Sequence, residues 1–147
     1  MAEPALEANP AKFSDPDLTA KGEKRARVAL RALLTLWINT GSLCNITCRN
    51  CYIESSPEND RLAYITRAEA AAYLDEIVRD RWPVREIGFT GGEPFMNPDI
   101  VALLGDALDR GFSVLVLTNA MQPMMRPHIR DGLVALRTLT ATALPCV

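Results

Sequence analysis

The sequence contains no apolar run approaching the roughly 20 residues that a membrane-spanning helix requires. It also carries little excess charge: the formal net charge is −2, which gives no electrostatic basis for binding nucleic acid or an anionic membrane surface. The N-terminal segment MAEPALEANP is acidic and interrupted by prolines, unlike a secretory signal peptide. These absences predict a cytoplasmic protein without nucleic-acid or membrane partners, in a compartment where cysteine thiols stay reduced.

The composition and proline distribution predict three segments. A chain of 147 residues with 48% hydrophobic and 23% charged residues is typical of a globular protein that can bury a core. Residues 1–17 are expected to form a flexible leader because they contain three prolines and little apolar periodicity. Residues 18–32 are predicted to form an N-terminal helix with a solvated basic face. Residues 33–147 would form the folded core.

Three short apolar segments of this core are predicted to be β-strands, at residues 33–39, 84–90 and 113–119. The third is apolar without alternation from Val114 to Leu117. A strand of this kind is expected to be covered on both faces, as in a parallel sheet.

A helical pattern follows each strand. Thr66 and Glu69 form a capping-box pattern, and the apolar stripe that follows it comprises Ala70, Tyr73, Leu74 and Ile77. Asn97 is predicted to cap a second helix, which Gly111 would end, and a third helix is expected over residues 124–136. The alternation of strand and helix predicts an α/β fold built as a parallel sheet of βα units.

The residues that could bind a ligand or take part in catalysis all lie at or after the ends of predicted strands. A cysteine-rich loop follows the first strand, the sequence GGEP follows the second, and Asn119 ends the third. Ligands of parallel sheets bind beyond the carboxyl ends of the strands, which meet at one edge. The three features are therefore predicted to form a single site.

Three cysteines, Cys44, Cys48 and Cys51, are crowded into the loop LCNITCRNCYIE. A disulfide would leave one thiol unpaired and is disfavoured in a reducing compartment. A structural zinc site needs a fourth ligand, and the sole histidine, His128, is remote in sequence. Cys48 and Cys51 could form a redox-active pair, which leaves Cys44 unexplained. An iron–sulfur cluster fits best, since thiolates are its usual ligands and three of them would leave one iron of a four-iron cluster open.

The spacing CxxxCxxC after the first strand, followed about 40 residues later by GGEP after the second, resembles the two signature motifs of the radical S-adenosylmethionine (SAM) enzymes. The resemblance covers residues 33 to about 120 and implies the N-terminal half of a partial (βα)6 barrel related to the TIM barrel. One position departs from the family pattern: Asn50 stands where an aromatic residue often precedes the third cysteine, and Tyr52 follows that cysteine instead.

The resemblance implies a cofactor and a reaction. Cys44, Cys48 and Cys51 would bind three irons of a [4Fe–4S] cluster, and SAM would chelate the fourth through its amine and carboxylate. An electron donor such as a flavodoxin or a ferredoxin would reduce the cluster. Reductive cleavage of SAM would then give a 5′-deoxyadenosyl radical, which abstracts hydrogen from a substrate that the sequence does not identify.

The resemblance also implies roles around the SAM molecule. Gly91 and Gly92 would let the backbone approach the methionyl group closely, since they lack side chains. Glu93 would hold the ammonium group, and Pro94 completes this motif. Asn119 would lie at the wall of the SAM pocket because of its place after the third strand.

The remaining candidates have simpler interpretations. His128 is predicted to be a surface residue, and Cys146, near the C-terminus, an incidental thiol. A complete eight-unit barrel takes roughly 250 residues, whereas three βα units are recognisable here, so the chain is interpreted as a truncated family member. The alternatives are an iron–sulfur-binding module without complete catalytic activity, and a small zinc or redox protein, which would leave GGEP unexplained.

Overall fold

Three strands and three α-helices alternate along the folded core of the computed structural model, which describes residues 15–143 and, within the last helix, side chains through residue 136. In chain order the elements are β1 (Thr35–Asn39), α1 (Arg67–Arg79), β2 (Glu86–Thr90), a short 3₁₀ helix (Pro94–Met96), α2 (Ile100–Asp109), β3 (Ser113–Val116) and α3 (Pro127–Ala143). The predicted α/β class and the three βα units are confirmed. Each strand is a few residues shorter than the apolar segment that predicted it.

The strands form one parallel sheet in the order β1-β2-β3. Trp37 pairs with Gly88, and Gly88 pairs with Leu115, so the three strands run in register across the sheet. All three carboxyl ends therefore lie at the same edge, and the chain leaves β1, β2 and β3 there in the loops that carry the candidate site.

One face of the sheet carries the hydrophobic core. Ile38, Ile87 and Phe89 point into it and are at most 5% exposed. They pack with buried residues of the three helices, namely Ala70, Leu74, Ile77, Ile100, Leu103, Leu104, Ala107 and Ile129. This arrangement fixes the helices on a single side of the sheet.

The opposite face is open among the described residues. Trp37 and Leu115 point to that side and are 45% and 40% exposed. The prediction that the third strand is covered on both faces is therefore wrong for this chain. Val114 and Val116 do pack against the core, but three strands do not curve far enough to close a barrel that would bury the other face.

Helix α1 begins as the capping box predicts. The Thr66 hydroxyl oxygen accepts a hydrogen bond from the Glu69 N–H at 3.3 Å, and the Thr66 N–H donates to the Glu69 carboxylate at 2.9 Å. Its stripe differs from the prediction at one position: Tyr73 is 55% exposed. Tyr73 lies at the border of the stripe, beside a cleft along the edge strand β1, where no further strand of the described chain covers it.

Removing the cap hydroxyl in Thr66→Ala is expected to lower the free energy of unfolding by about 1 kcal/mol, because the first turn of α1 loses the acceptor for one N–H group. Urea denaturation measures this change. Thr66→Ser keeps the hydroxyl and serves as the matched control; equal stability of the alanine variant and the unchanged protein would contradict the assignment.

The predicted cap of the second helix is wrong, because α2 begins after Asp99. Asn97 is instead 1% exposed, and its amide nitrogen donates to the carbonyl oxygens of Thr40 at 3.2 Å and Ile65 at 2.9 Å. Its amide oxygen accepts from the Asp99 N–H at 2.8 Å. Asn97 thus cross-links the loop after β1, the approach to α1 and the entry to α2. It ends the 3₁₀ helix, where its N–H donates to the Pro94 carbonyl oxygen, and is not the N-cap of α2.

The helix predicted over residues 18–32 is not formed. The chain divides into two compact units between Arg31 and Ala32, and the described part of the first unit contains turns and a short bridge between Leu18 and Lys24. Side chains compete with a helical backbone there: Asp15 accepts from two N–H groups, and the Thr19 hydroxyl accepts from two more. Most of the predicted leader lies outside the described residues.

Candidate metal and cofactor site

The loops that follow the three strands meet at one point of the sheet edge. Asn119, after β3, places its amide nitrogen 3.8 Å from the Cys44 sulfur and 3.0 Å from the Asn45 side-chain oxygen, both after β1. The Asn119 N–H donates to the Glu93 carboxylate, after β2, at 2.9 Å. The structure therefore brings together the three features that the strand-end argument placed on one rim.

The glycines after β2 pack directly against the loop after β1. The Gly92 N–H donates to the Gly41 carbonyl oxygen at 2.9 Å, and the Glu93 N–H donates to the Leu43 carbonyl oxygen at 3.0 Å. Gly91 has φ +140°, and a Cβ on it would lie 2.6 Å from the Gly41 oxygen, while a Cβ on Gly92 would overlap the Leu43 carbonyl. Only glycine fits at either position, because the two loops approach backbone to backbone.

Glu93 is a buried carboxylate, 1% exposed, that joins the ends of β2 and β3. One carboxylate oxygen accepts from the Phe95 N–H at 3.0 Å and from the Thr118 hydroxyl at 2.8 Å. The other accepts from the Asn119 N–H. Three donors satisfy most of the acceptor capacity of this side chain, as a buried polar group requires. Pro94 is the first residue of the 3₁₀ helix that this carboxylate caps.

The cysteine loop is closed at its base. The Cys44 N–H donates to the Ser56 carbonyl oxygen at 3.1 Å, and the buried Ser42 hydroxyl donates to the Asn59 carbonyl oxygen at 2.8 Å. Asn59 also donates to the Glu54 carbonyl oxygen at 2.9 Å. These bonds hold residues 44–59 together as a closed loop beyond the end of β1.

The three thiols of this loop differ in exposure. Cys44 is buried, Cys51 is half-buried and Cys48 is exposed, and none of the three forms a disulfide. The Ser55 N–H donates to the Cys51 sulfur at 3.3 Å. This bond, followed by one from the Ile53 N–H, holds the pKa of the Cys51 thiol below its usual value, which favours the thiolate that binds metals.

Within residues 15–143, no group of three or more histidine, cysteine, aspartate or glutamate side chains is gathered closely enough to hold a metal ion. The cysteines are nevertheless chemically suited to an iron–sulfur cluster, because three free thiols share one short loop and two of them accept hydrogen bonds from N–H groups. His128 is exposed at the start of α3, as predicted for a surface residue. Cys146 lies outside the described residues.

Sequence reasoning did not identify Thr118, Asn45 or Ser55 as parts of this region. Thr118 and Asn45 sit beside residues that the motifs did single out, so proximity in sequence was the available signal. Ser55 has no such signal, since its contact with Cys51 depends on how the loop turns.

Comparisons with known proteins agree with this geometry. The sequence model of the Radical SAM superfamily matches residues 38–139, which is most of the folded core. The chain belongs to the radical SAM superfamily.

Two curated relatives indicate how much of such proteins the chain represents. It is 29% identical over 87 residues to an S-adenosylmethionine-dependent nucleotide dehydratase of Selenomonas ruminantium, covering 57% of this chain and 30% of that protein. It is 31% identical over 123 residues to a GTP 3′,8-cyclase of Rhodococcus opacus, covering 80% of this chain and 32% of that protein. The chain thus spans about a third of the length of these relatives.

A solved structure shares the fold. The crystal structure of Streptococcus suis SuiB bound to S-adenosylmethionine aligns with a TM-score of 0.53 at 24% identity, covering 68% of this chain and 22% of that one. This agrees with a sheet of βα units from a partial barrel. No helix among the described residues has the length and apolar character needed to cross a membrane.

Proposed function

We propose that Cys44, Cys48 and Cys51 hold a [4Fe–4S] cluster and that SAM binds at the cluster position these three thiolates leave open. The observation that carries this proposal is the contact of Asn119 with both Cys44 and Glu93. It joins the cysteine loop to the GGEP motif at the one sheet edge where parallel folds bind ligands. When bound, the cluster and SAM would supply reductive cleavage of SAM to a 5′-deoxyadenosyl radical for hydrogen abstraction.

The protein's own residues would bind SAM and orient it. The Glu93 oxygen that accepts from Asn119 receives a single hydrogen bond from the described residues, so it retains capacity for the SAM ammonium. Gly91 and Gly92 would keep the motif's backbone against the cysteine loop, and Pro94 would set the direction in which the chain leaves it. Asn119 would form the wall of the pocket on the β3 side.

The substrate and the electron donor are proposed only by chemical class. A low-potential protein such as a ferredoxin or a flavodoxin would deliver the electron. Two relatives are named for reactions on nucleotides, which makes nucleotides the first class of substrate to try. The matched segment covers only about a third of those proteins, so this suggestion concerns the class alone.

A second candidate is a cluster-carrying module without complete catalytic activity. The open face of the sheet favours it, because Leu115 and Leu117 are 40% and 52% exposed on the side where a barrel would enclose its ligands. A radical formed beside such a face would not be shielded from water.

Anaerobic reconstitution with iron and sulfide tests the cluster. We expect about four irons per chain, as for a [4Fe–4S] cluster, and loss of most of that iron in Cys48→Ser. Cys146→Ser is the matched control and should keep its iron. A colourless protein that binds a single zinc ion would contradict the proposal.

Product analysis separates the two candidates. After reduction with dithionite in the presence of SAM, formation of 5′-deoxyadenosine supports the enzyme. A full complement of iron without any 5′-deoxyadenosine supports the module.

A further inference from the structure

We propose that Asn119 and Ser55 donate hydrogen bonds to the sulfur atoms of Cys44 and Cys51 and thereby raise the reduction potential of the cluster those cysteines hold. This inference rests on the proposed function, since it concerns the potential of that cluster. It assigns to Asn119 a role beyond the pocket wall, and it gives Ser55 a role that no motif indicates.

The orientation of the Asn119 amide is fixed by its neighbours. Its side-chain oxygen accepts from the Met121 N–H at 3.0 Å, and its nitrogen donates to the Asn45 oxygen at 3.0 Å. An asparagine amide nitrogen has two N–H groups, and the second is directed to the Cys44 sulfur at 3.8 Å. A donor, and not the amide oxygen, therefore faces the sulfur.

The backbone of Asn119 is held in place as well. Its N–H is held by the Glu93 carboxylate, and the Thr118 hydroxyl binds the same carboxylate. Cys44 itself is only 5% exposed. A hydrogen bond to a buried sulfur is weakened little by competition with water, so its effect on the charge of that sulfur is retained.

Ser55 contacts the half-buried thiol of Cys51. Its N–H donates to the Cys51 sulfur at 3.3 Å, and the residue is 3% exposed. Among the described residues, its hydroxyl is the buried side-chain polar atom that has no hydrogen-bond partner. Since that hydroxyl has no partner, the donor that Ser55 supplies to Cys51 is its backbone N–H.

The physical consequence follows from charge. Reduction adds an electron to the cluster and its thiolates, and hydrogen bonds to the sulfur atoms stabilise the more negative state. Donors at Cys44 and Cys51 therefore make reduction easier. Cys48 lies in solvent, so water would supply its hydrogen bonds.

The test is a redox titration of the reconstituted 147-residue chain, in which the EPR signal of the reduced cluster is measured at each potential. Asn119→Ala should lower the midpoint potential, and so should Ser55→Pro, which lacks the backbone N–H that donates to Cys51; the double variant should lower it further. Ser55→Ala keeps that N–H and should leave the potential unchanged. Ser113→Ala is the matched control and should leave the potential unchanged, because its hydroxyl donates to the Arg85 carbonyl oxygen at the opposite end of β3.

The outcomes are distinguishable from those of the proposed function. Iron content and the response to SAM report on the cluster and its ligand, whereas the midpoint potential reports on these two donors. Asn119→Asp provides a second variant, since it keeps the acceptor for the Met121 N–H but removes the N–H directed at Cys44, and it should also lower the potential. Asn119→Ala and Ser55→Pro variants with full iron content and a midpoint potential equal to that of the unchanged chain would overturn the inference.

Discussion

Gly92→Ala is expected to lower the free energy of unfolding by at least about 1–3 kcal/mol, the cost of inserting atoms into a packed site, and to abolish cluster retention. A Cβ on Gly92 would overlap the Leu43 carbonyl, which is backbone and cannot rotate away. The loop after β1 would have to move, and the Glu93 N–H would lose its 3.0 Å hydrogen bond to Leu43. Because Leu43 directly precedes Cys44, the displacement reaches the first cysteine.

Urea denaturation and iron content after reconstitution measure the two effects of Gly92→Ala. Gly105→Ala is the matched control, since a Cβ there meets only the Leu136 side chain at 3.4 Å, and alanine in the interior of α2 should stabilise the helix. A Gly92→Ala variant as stable and as iron-rich as the control would contradict the backbone-to-backbone packing described here.

Glu93→Ala is expected to be destabilising by about 1–3 kcal/mol, because three donors lose their acceptor and the one in a buried hydrogen bond becomes a buried orphan at about that cost. The other two donors are half-buried and can reach water. The three donors are the N–H groups of Phe95 and Asn119 and the Thr118 hydroxyl. The end of β3 would lose its attachment to the GGEP loop. SAM binding should be lost together with this attachment, even where the fold survives.

Glu93→Gln refines the test of the buried carboxylate. Glutamine keeps one acceptor oxygen but turns an NH₂ group towards a donor, so we expect a loss of stability between those of the unchanged chain and Glu93→Ala. Glu58→Ala, at an exposed position of the cysteine loop, should stay within about 0.5 kcal/mol of the unchanged chain. Equal unfolding free energies for Glu58→Ala and Glu93→Ala would rule out the role given to Glu93.

Much of the fold could be predicted because its signals are local. The capping box at Thr66 and Glu69 needs only four residues of sequence, and strands with intervening helices predict a parallel sheet. Parallel pairing then places every strand end at one edge, so the meeting of Cys44, Glu93 and Asn119 followed from topology without knowledge of any contact.

The errors occurred where distant residues decide the outcome. Asn97 has a good capping side chain, but two carbonyl groups far along the chain bind its amide. The apolar character of β3 gave no information on whether further strands would cover its second face. In residues 18–32, the turns made by Asp15 and Thr19 side chains prevailed over a composition that favours a helix.

The same distinction applies to the site. Sequence motifs identified Gly92 and Glu93, but not the physical demands on them: the Leu43 carbonyl that excludes a Cβ, and the donors that converge on the carboxylate. Ser55 could not have been found at all, since its contact with Cys51 arises only when the loop has folded.

The central claim is that three thiolates leave one cluster position for SAM, and EPR spectroscopy of the reduced, reconstituted chain tests it most directly. Adding SAM should change the spectrum of the unchanged chain and of Cys146→Ser alike, because SAM would bind the cluster itself. A spectrum that SAM leaves unaltered, at full iron content, would contradict the claim.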